Sequence, residues 1–202
     1  MADDPAGGFS ALRVHELLAA VADRTPAPGG GAVAALAAAL AASLTAMAAR
    51  FSADPGTAEV AVLADELRSL AAPLADDDAA AYQRVLAATG LPREPDPGTR
   101  REAIRRALDE ASDVPLRVAE IGAEVAALAA ALARSGNPNL RGDAAAAALL
   151  GAAAATTAAI LVAENLAKTP DDPRIRRARE LAASVRSTAD ATLRLFPAVA
   201  PA

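Results

Sequence analysis

Alanine decides what this chain can become: 62 of its 202 residues are Ala, many of them in long uncharged runs. Alanine is the best helix former, and its single methyl group lets helix backbones approach closely. A β-sandwich or barrel needs β-branched and aromatic side chains to fill its pleated surfaces. Aromatics make up only 2% of this chain, namely Phe9, Phe51, Tyr82 and Phe196 with no Trp. The expected fold is therefore all-α, an antiparallel up-and-down bundle of about six or seven Ala-rich helices. The length suits one domain, residues 1–202.

Several chemistries drop out on composition. The absence of Cys excludes a disulfide scaffold, a thiolate zinc site and a cysteine nucleophile. One histidine, His15, argues against a histidine metal centre or a Ser-His-Asp triad, so no metal is expected. A formal charge of −5 without a basic tract makes nucleic acid a poor partner. Residues 32–49 and 144–163 approach the length of a membrane span. They are mostly Ala with Ser43, Thr45, Thr156 and Thr157, and hold few of the Leu, Ile, Val or Phe side chains that drive insertion. They read as the centre of a soluble bundle or dimer, with no membrane partner. The acidic start MADDPAGGFS lacks signal-peptide order, so a cytoplasmic location is expected.

Capping and breaker residues divide the chain. Ser10 opens a first helix over 11–23, with an apolar stripe at Leu12, Leu17, Leu18 and Val21. The loop Thr25-Pro-Ala-Pro-Gly-Gly-Gly31 precedes a helix over 32–52. The third, 57–89, meets Pro73, which should kink or briefly break it. A Pro-rich loop over 91–98 leads to helices over 99–111 and from Ser112, with Pro115 in the first turn, to Arg134. The turn at 135–139 precedes a helix over 144–168, and the last helix spans 174–196.

Three places could carry chemistry. In Asp76-Asp77-Asp78, acids near a helix start complement the helix dipole and need no further role. Asp78, however, falls on the apolar stripe Leu70, Leu74, Asp78, Tyr82, Val85. A carboxyl there is either paired or poised for acid–base work, because burial raises its pKa. The Gly29-Gly30-Gly31 loop would leave N–H groups bare at a helix start, a cradle for an anion or polar ligand; it serves equally well as a tight turn. The turn Asn137, Asn139, Arg141 and Asp143 could read a heterocycle or a carboxylate, although Asx residues in turns commonly satisfy their own backbone.

Read together, these blocks resemble one family. Thr25-Pro-Ala-Pro-Gly-Gly-Gly-Ala-Val-Ala-Ala-Leu36 is similar to the opening motif of the cyclodeaminase/cyclohydrolase family. That family includes the C-terminal half of formiminotransferase-cyclodeaminase and stand-alone methenyltetrahydrofolate cyclohydrolases. The likeness continues in Asp78-Ala-Ala-Ala-Tyr82, in 111–120, in Gly136-Asn-Pro-Asn139 leading to Asp143, and in Asn165-Leu166.

The resemblance implies an all-α homodimer that binds a tetrahydrofolate derivative and needs no cofactor beyond it. The implied reaction is loss of ammonia from 5-formiminotetrahydrofolate with closure to 5,10-methenyltetrahydrofolate, or hydrolysis of the methenyl bridge. The rival is a folate-binding or structural dimer without catalysis. Carried over, Asp78 is the acid/base, Gly29, Gly30 and Gly31 line the site, and Asn137, Asn139 and Asp143 hold the pterin or order the pocket wall. Tyr82, Arg141 and Asn165 complete the substrate-binding set. The chain departs from the family at Ser52–Thr57, where lysines are usual, at Gly142 in place of Ser, and at Leu161 in place of Asn. A folate tail is then left to arginines such as Arg50, Arg134 or Arg141.

Overall fold

The computed structural model describes residues 8–93 and 96–198. They form eight α-helices and two 3-10 turns, with no strand among the described residues. The helices are α1 (Val14–Ala22), α2 (Gly30–Arg50), α3 (Thr57–Ala71), α4 (Leu74–Thr89), α5 (Pro97–Glu110), α6 (Asp113–Ser135), α7 (Arg141–Asn165) and α8 (Pro173–Leu193). The 3-10 turns are Phe9–Ala11 and Pro138–Leu140.

The eighth helix, beyond the six or seven expected, comes from Pro73. Without an N–H it cannot continue the ladder, so α3 stops at Ala71 and α4 starts at Leu74, with Pro73 as its N-cap. Two expected caps are also corrected. Ser10 lies inside the first 3-10 turn; α1 begins after Arg13, whose N–H donates to the Glu16 carboxylate at 2.9 Å. Buried Ser112 donates its hydroxyl back to the Leu108 carbonyl at 2.8 Å and does not cap α6.

Core clusters give the helix directions. Ala32, Ala34 and Ala35 pack with Val118, Ala119 and Ala158, whereas Ala48 and Ala49 pack with Leu132, Ala133, Ala144 and Ala145. Hence α2 and α6 run the same way and α7 runs against both. With α3–α4 returning along α2, and α8 returning along α7, the limbs alternate up and down. The core is mostly alanine; its largest fully buried side chains are Ile121, Val118, Val125, Val162 and Val185. Gly122 on α6 and Gly151 on α7 mark a close crossing: a Cβ on Gly122 would lie 2.8 Å from the Gly151 carbonyl oxygen.

Two further features bear on function. Helix α2 and the segment 138–165 are long and apolar enough to cross a bilayer, yet 61% and 56% of their most apolar windows are buried inside the bundle. Both also keep an uncharged outer stripe, with Val33 and Leu40 on α2 and Leu150 and Ile160 on α7 exposed. Helix α1 buries none of its residues. Its expected core stripe is not one, since Leu18 is 65% and Val21 40% exposed.

Candidate active site

The glycine loop, α4, the α5–α6 junction and the end of α7 enclose a cleft of about 320 Å³. That volume lies near the lower end of the roughly 300–1,000 Å³ usual for small-molecule sites. Gly29, Gly30 and Gly31 form one wall; Asp78 and Tyr82, one turn apart on α4, form the next; Asn165 closes the far side. Pro28 is buried beneath the loop, following a cis peptide bond after Ala27. The helix period that places Asp78 and Tyr82 on one face also sends Asp77 to the exposed side.

Each glycine has a different surrounding. A Cβ on Gly29 or Gly30 would meet nothing within 4 Å, so both backbones border open space. At Gly31 a Cβ would overlap the Asp78 carboxyl, the farthest of its three atoms lying at 2.6 Å. Only glycine permits that approach. Asp78 is the only carboxylate among the described residues that line the cleft. Burial pushes its carboxyl above the ordinary aspartate range, and a backbone hydrogen bond from Ala32 opposes that shift. Asn165 donates its side-chain N–H to the Ala111 carbonyl at 3.1 Å. That bond fixes the orientation of the amide.

Asp76 is more than a helix-start acid. Its Oδ1 accepts the Phe9 N–H at 2.9 Å, and its carboxyl fills the space where Gly8, at φ +71°, lacks a Cβ.

The second cluster of expected site residues lies elsewhere. Asn137, Asn139, Arg141 and Asp143 sit where α6 turns into α7, at the opposite end of the bundle from Asn165. The 25 residues of α7 separate them by roughly 37 Å at 1.5 Å per residue. There the turn has structural work. The Asn137 side chain donates to the Phe51 carbonyl at 2.7 Å, its N–H donates to Ser52 Oγ at 3.2 Å, and its Oδ1 accepts the Asn139 N–H at 3.0 Å. Arg141 donates to the Leu195 carbonyl at 2.6 Å and stacks 4.9 Å over the Phe196 ring. Asp143 lies in the first turn of α7. Within one chain, therefore, Asp78, Tyr82, Gly29–Gly31 and Asn165 come together, and the Asn137–Asp143 turn does not join them.

Sequence reading also missed part of the wall. Val85, Leu108, Ala111 and Pro115 line the cleft and make it largely apolar. Pro115, just past the junction of two helices, was the readable signal. Of the three departures, only Leu161 touches the cleft. Among the described residues no group of three or more His, Asp or Glu side chains is placed to hold a metal ion.

The chain is 31% identical over 141 residues to a methenyltetrahydrofolate cyclohydrolase of Methylorubrum extorquens, covering 65% of this chain and 68% of that one. Its fold superimposes on a formiminotetrahydrofolate cyclodeaminase of Thermotoga maritima with a TM-score of 0.82 and 26% identity, over 94% of this chain and 98% of the other. The sequence pattern described as formiminotransferase-cyclodeaminase matches residues 13–184, and the chain belongs to that family.

Proposed function

We propose that this protein is an enzyme acting at the one-carbon bridge of a tetrahydrofolate derivative, with Asp78 as its proton donor and acceptor. The observation that carries this reading is the lone, partly buried carboxyl of Asp78, held against Gly31 in a largely apolar cleft. A raised pKa brings a carboxyl closer to the operating pH, where proton transfer in either direction is efficient.

Two reactions fit that group, and the named relatives support them equally. In cyclodeamination, N10 of 5-formiminotetrahydrofolate attacks the formimino carbon. The formimino nitrogen, already protonated in the amidinium substrate, becomes an amino group; Asp78 takes the N10 proton and passes it to that group, and ammonia leaves as the methenyl bridge closes. In hydrolysis, ionised Asp78 takes a proton from water as its oxygen bonds to the methenyl carbon. Return of that proton to N5 accompanies C–N5 cleavage, and loss of the remaining hydroxyl proton through Asp78 to solvent gives the 10-formyl product. The open backbones of Gly29 and Gly30, the Tyr82 ring and the Asn165 amide would face the pterin. We read the protein as a soluble cytoplasmic homodimer that requires no cofactor beyond its folate substrate.

Methenyltetrahydrofolate has its own near-ultraviolet band, so turnover in either direction is visible directly. The expected result is appearance of the band with the formimino substrate or its decay with the methenyl substrate, lost in Asp78→Asn. Folate binding without turnover of either compound would favour a non-catalytic binding protein.

A further inference from the structure

Of the helices that wall the Asp78 cleft, α5 buries the fewest residues. Only Ala107 is buried on it, packed on Ala81, Val85 and Ala88 of α4. Yet Leu108 of α5 and Ala111 just past its end line the cleft, followed by Pro115 of α6. So little apolar burial leaves the placement of this wall to polar contacts.

Those contacts converge on one side chain. Arg174, the second residue of α8, reaches three carboxylates, and no other guanidinium among the described residues pairs with more than two. Its Nη2 pairs with Asp109 on α5 and donates to Asp172 at 2.9 Å. Its Nη1 donates to Asp113, at the start of α6, at 2.8 Å and to the Asp109 carbonyl at 3.0 Å. Its Nε and its backbone N–H both donate to Asp172, at 3.0 and 2.8 Å, so the N-cap of α8 holds the guanidinium in place.

The last carbonyls of a helix find no partner within it. At the end of α5 the Leu108 carbonyl accepts the Ser112 hydroxyl, the Asp109 carbonyl accepts Arg174, and the Ala111 carbonyl beyond them accepts Asn165 at 3.1 Å. Arg174 and Asn165 thus grip one junction. Asn165 lines the cleft, and Arg174 does not touch it.

We infer that Arg174 is a positioning residue of the Asp78 cleft, latching the α5–α6 junction to α8 and so setting the wall of Leu108, Ala111 and Pro115. Its kinetic consequence rests on the folate reading above, under which that wall meets bound substrate. The planar fork of an arginine can span several acceptors at once, whereas a lysine supplies one point charge.

The test compares wild type, Arg174→Gln, Arg174→Lys and Arg177→Gln in steady-state kinetics on the formimino and methenyl substrates and in amide hydrogen exchange. Arg174→Gln should raise KM by about 10- to 100-fold, the scale of a small misplacement transmitted to a site. Its kcat should stay within about twofold, because a wall that touches ground and transition states alike acts on KM. The N–H groups of Ala111 and Ser112, which donate to the Ala107 and Asp109 carbonyls at 3.0 and 3.1 Å, should exchange faster while those of α2 do not change. Arg174→Lys should recover KM only in part. Arg177→Gln, which breaks the pairs with Glu120 and Glu180, should match wild type in both measurements.

KM does not depend on the fraction of protein that is folded. A lower Tm with KM and exchange unchanged would therefore assign Arg174 to stability alone and overturn the inference, as would a loss of kcat at constant KM. If Arg174→Gln does not fold, Asp109→Ala and Asp113→Ala each remove one arm and should raise KM by a smaller factor; unchanged KM in both overturns the latch. Wild type that turns over neither substrate would overturn the folate reading. The exchange comparison then decides the latch by itself, and equal exchange in wild type and the variants overturns it.

Discussion

The Asp78 carboxyl rests directly on the Cα of Gly31, in space that any side chain on residue 31 would occupy. An acid on α4 and a glycine at the start of α2 therefore form one unit, built from residues 47 positions apart. Gly31→Ala should expel the carboxyl and lower kcat by about the 10²–10⁴ that a general acid–base group typically contributes. Gly30→Ala should behave differently, because its Cβ enters open space. Replacing glycine within a helix gains at most about 1 kcal/mol, so this variant should keep its Tm while KM rises. Steady-state kinetics beside thermal melts separate the two, and equal effects at both positions would show that the loop is only a turn.

Asp78→Asn keeps the side-chain shape and removes the titrating proton, so turnover should fall by about 10²–10⁴. Its effect on stability should have the opposite sign. The folded-state pKa of Asp78 is raised by burial, so the native protein favours the protonated form. That contribution is complete below the unfolded value near 3.8 and is lost as pH rises through the raised folded value. At neutral pH wild type carries a partly buried charge that Asp78→Asn lacks. The variant should melt higher at pH 7, and the gap should close as pH falls toward 3.8. Asp77→Asn, on the exposed side of α4, is the comparison that should show neither effect.

Much of this was legible in the sequence for simple reasons. Alanine content dictated helices, and the Asp78–Tyr82 spacing put both residues on one face whatever α4 packed against. The glycine loop announced itself, but only the structure shows that Gly31 is occupied by a carboxyl while Gly29 and Gly30 face space. What could not be read was position along the bundle axis. Nothing local distinguishes the Asn137 turn at one end of α7 from Asn165 at the other, and only the direction of α7 against α2 separates them.

Core tightness gives a third prediction. Gly122 and Gly151 face each other across α6 and α7, each with the other's carbonyl oxygen within 2.9 Å of where a Cβ would stand. Both neighbours are backbone and cannot swing aside. Gly122→Val should cost at least the roughly 1–3 kcal/mol typical of overpacking, or several degrees in Tm for a protein of this size. Denaturant melts at matched concentration measure it. A Tm equal to wild type would show that the helices separate at little cost.

The uncharged stripe along α2 and α7 gives a fourth. Leu40 is 63% and Ile160 58% exposed in one chain, on the two helices that carry the longest apolar runs. Contiguous exposed apolar surface on a folded protein marks an interaction site, and pairing with a second copy would cover it symmetrically. Light scattering at micromolar concentration should give twice the chain mass, and Leu40→Glu with Ile160→Glu should give the single-chain mass with helical content unchanged. A monomeric wild type would remove the dimer.

Asn137 provides the last prediction because two roles assigned to it lead to different measurements. Its contacts hold the α6–α7 turn onto the end of α2 through Phe51 and Ser52. Loss of its side-chain hydrogen bonds should cost about 1 kcal/mol, with a matching fall in Tm. If that is its whole function, Asn137→Ala should leave KM and kcat near wild type, since the Asp78 cleft lies an α7 length away in the same chain. The family resemblance instead gave this residue to the pterin, a role it can fill only in a cleft belonging to another copy. Mixing Asn137→Ala with Asp78→Asn chains separates the cases. When all sites are confined to single chains, the mixture retains only the activity of its Asn137→Ala fraction, whatever the pairing. With sites shared between copies, Asn137→Ala alone loses activity, and mixed dimers regain one cleft in which neither substituted residue takes part. The structure of the single chain predicts the first result, and recovery of activity on mixing would assign the turn to the partner's site.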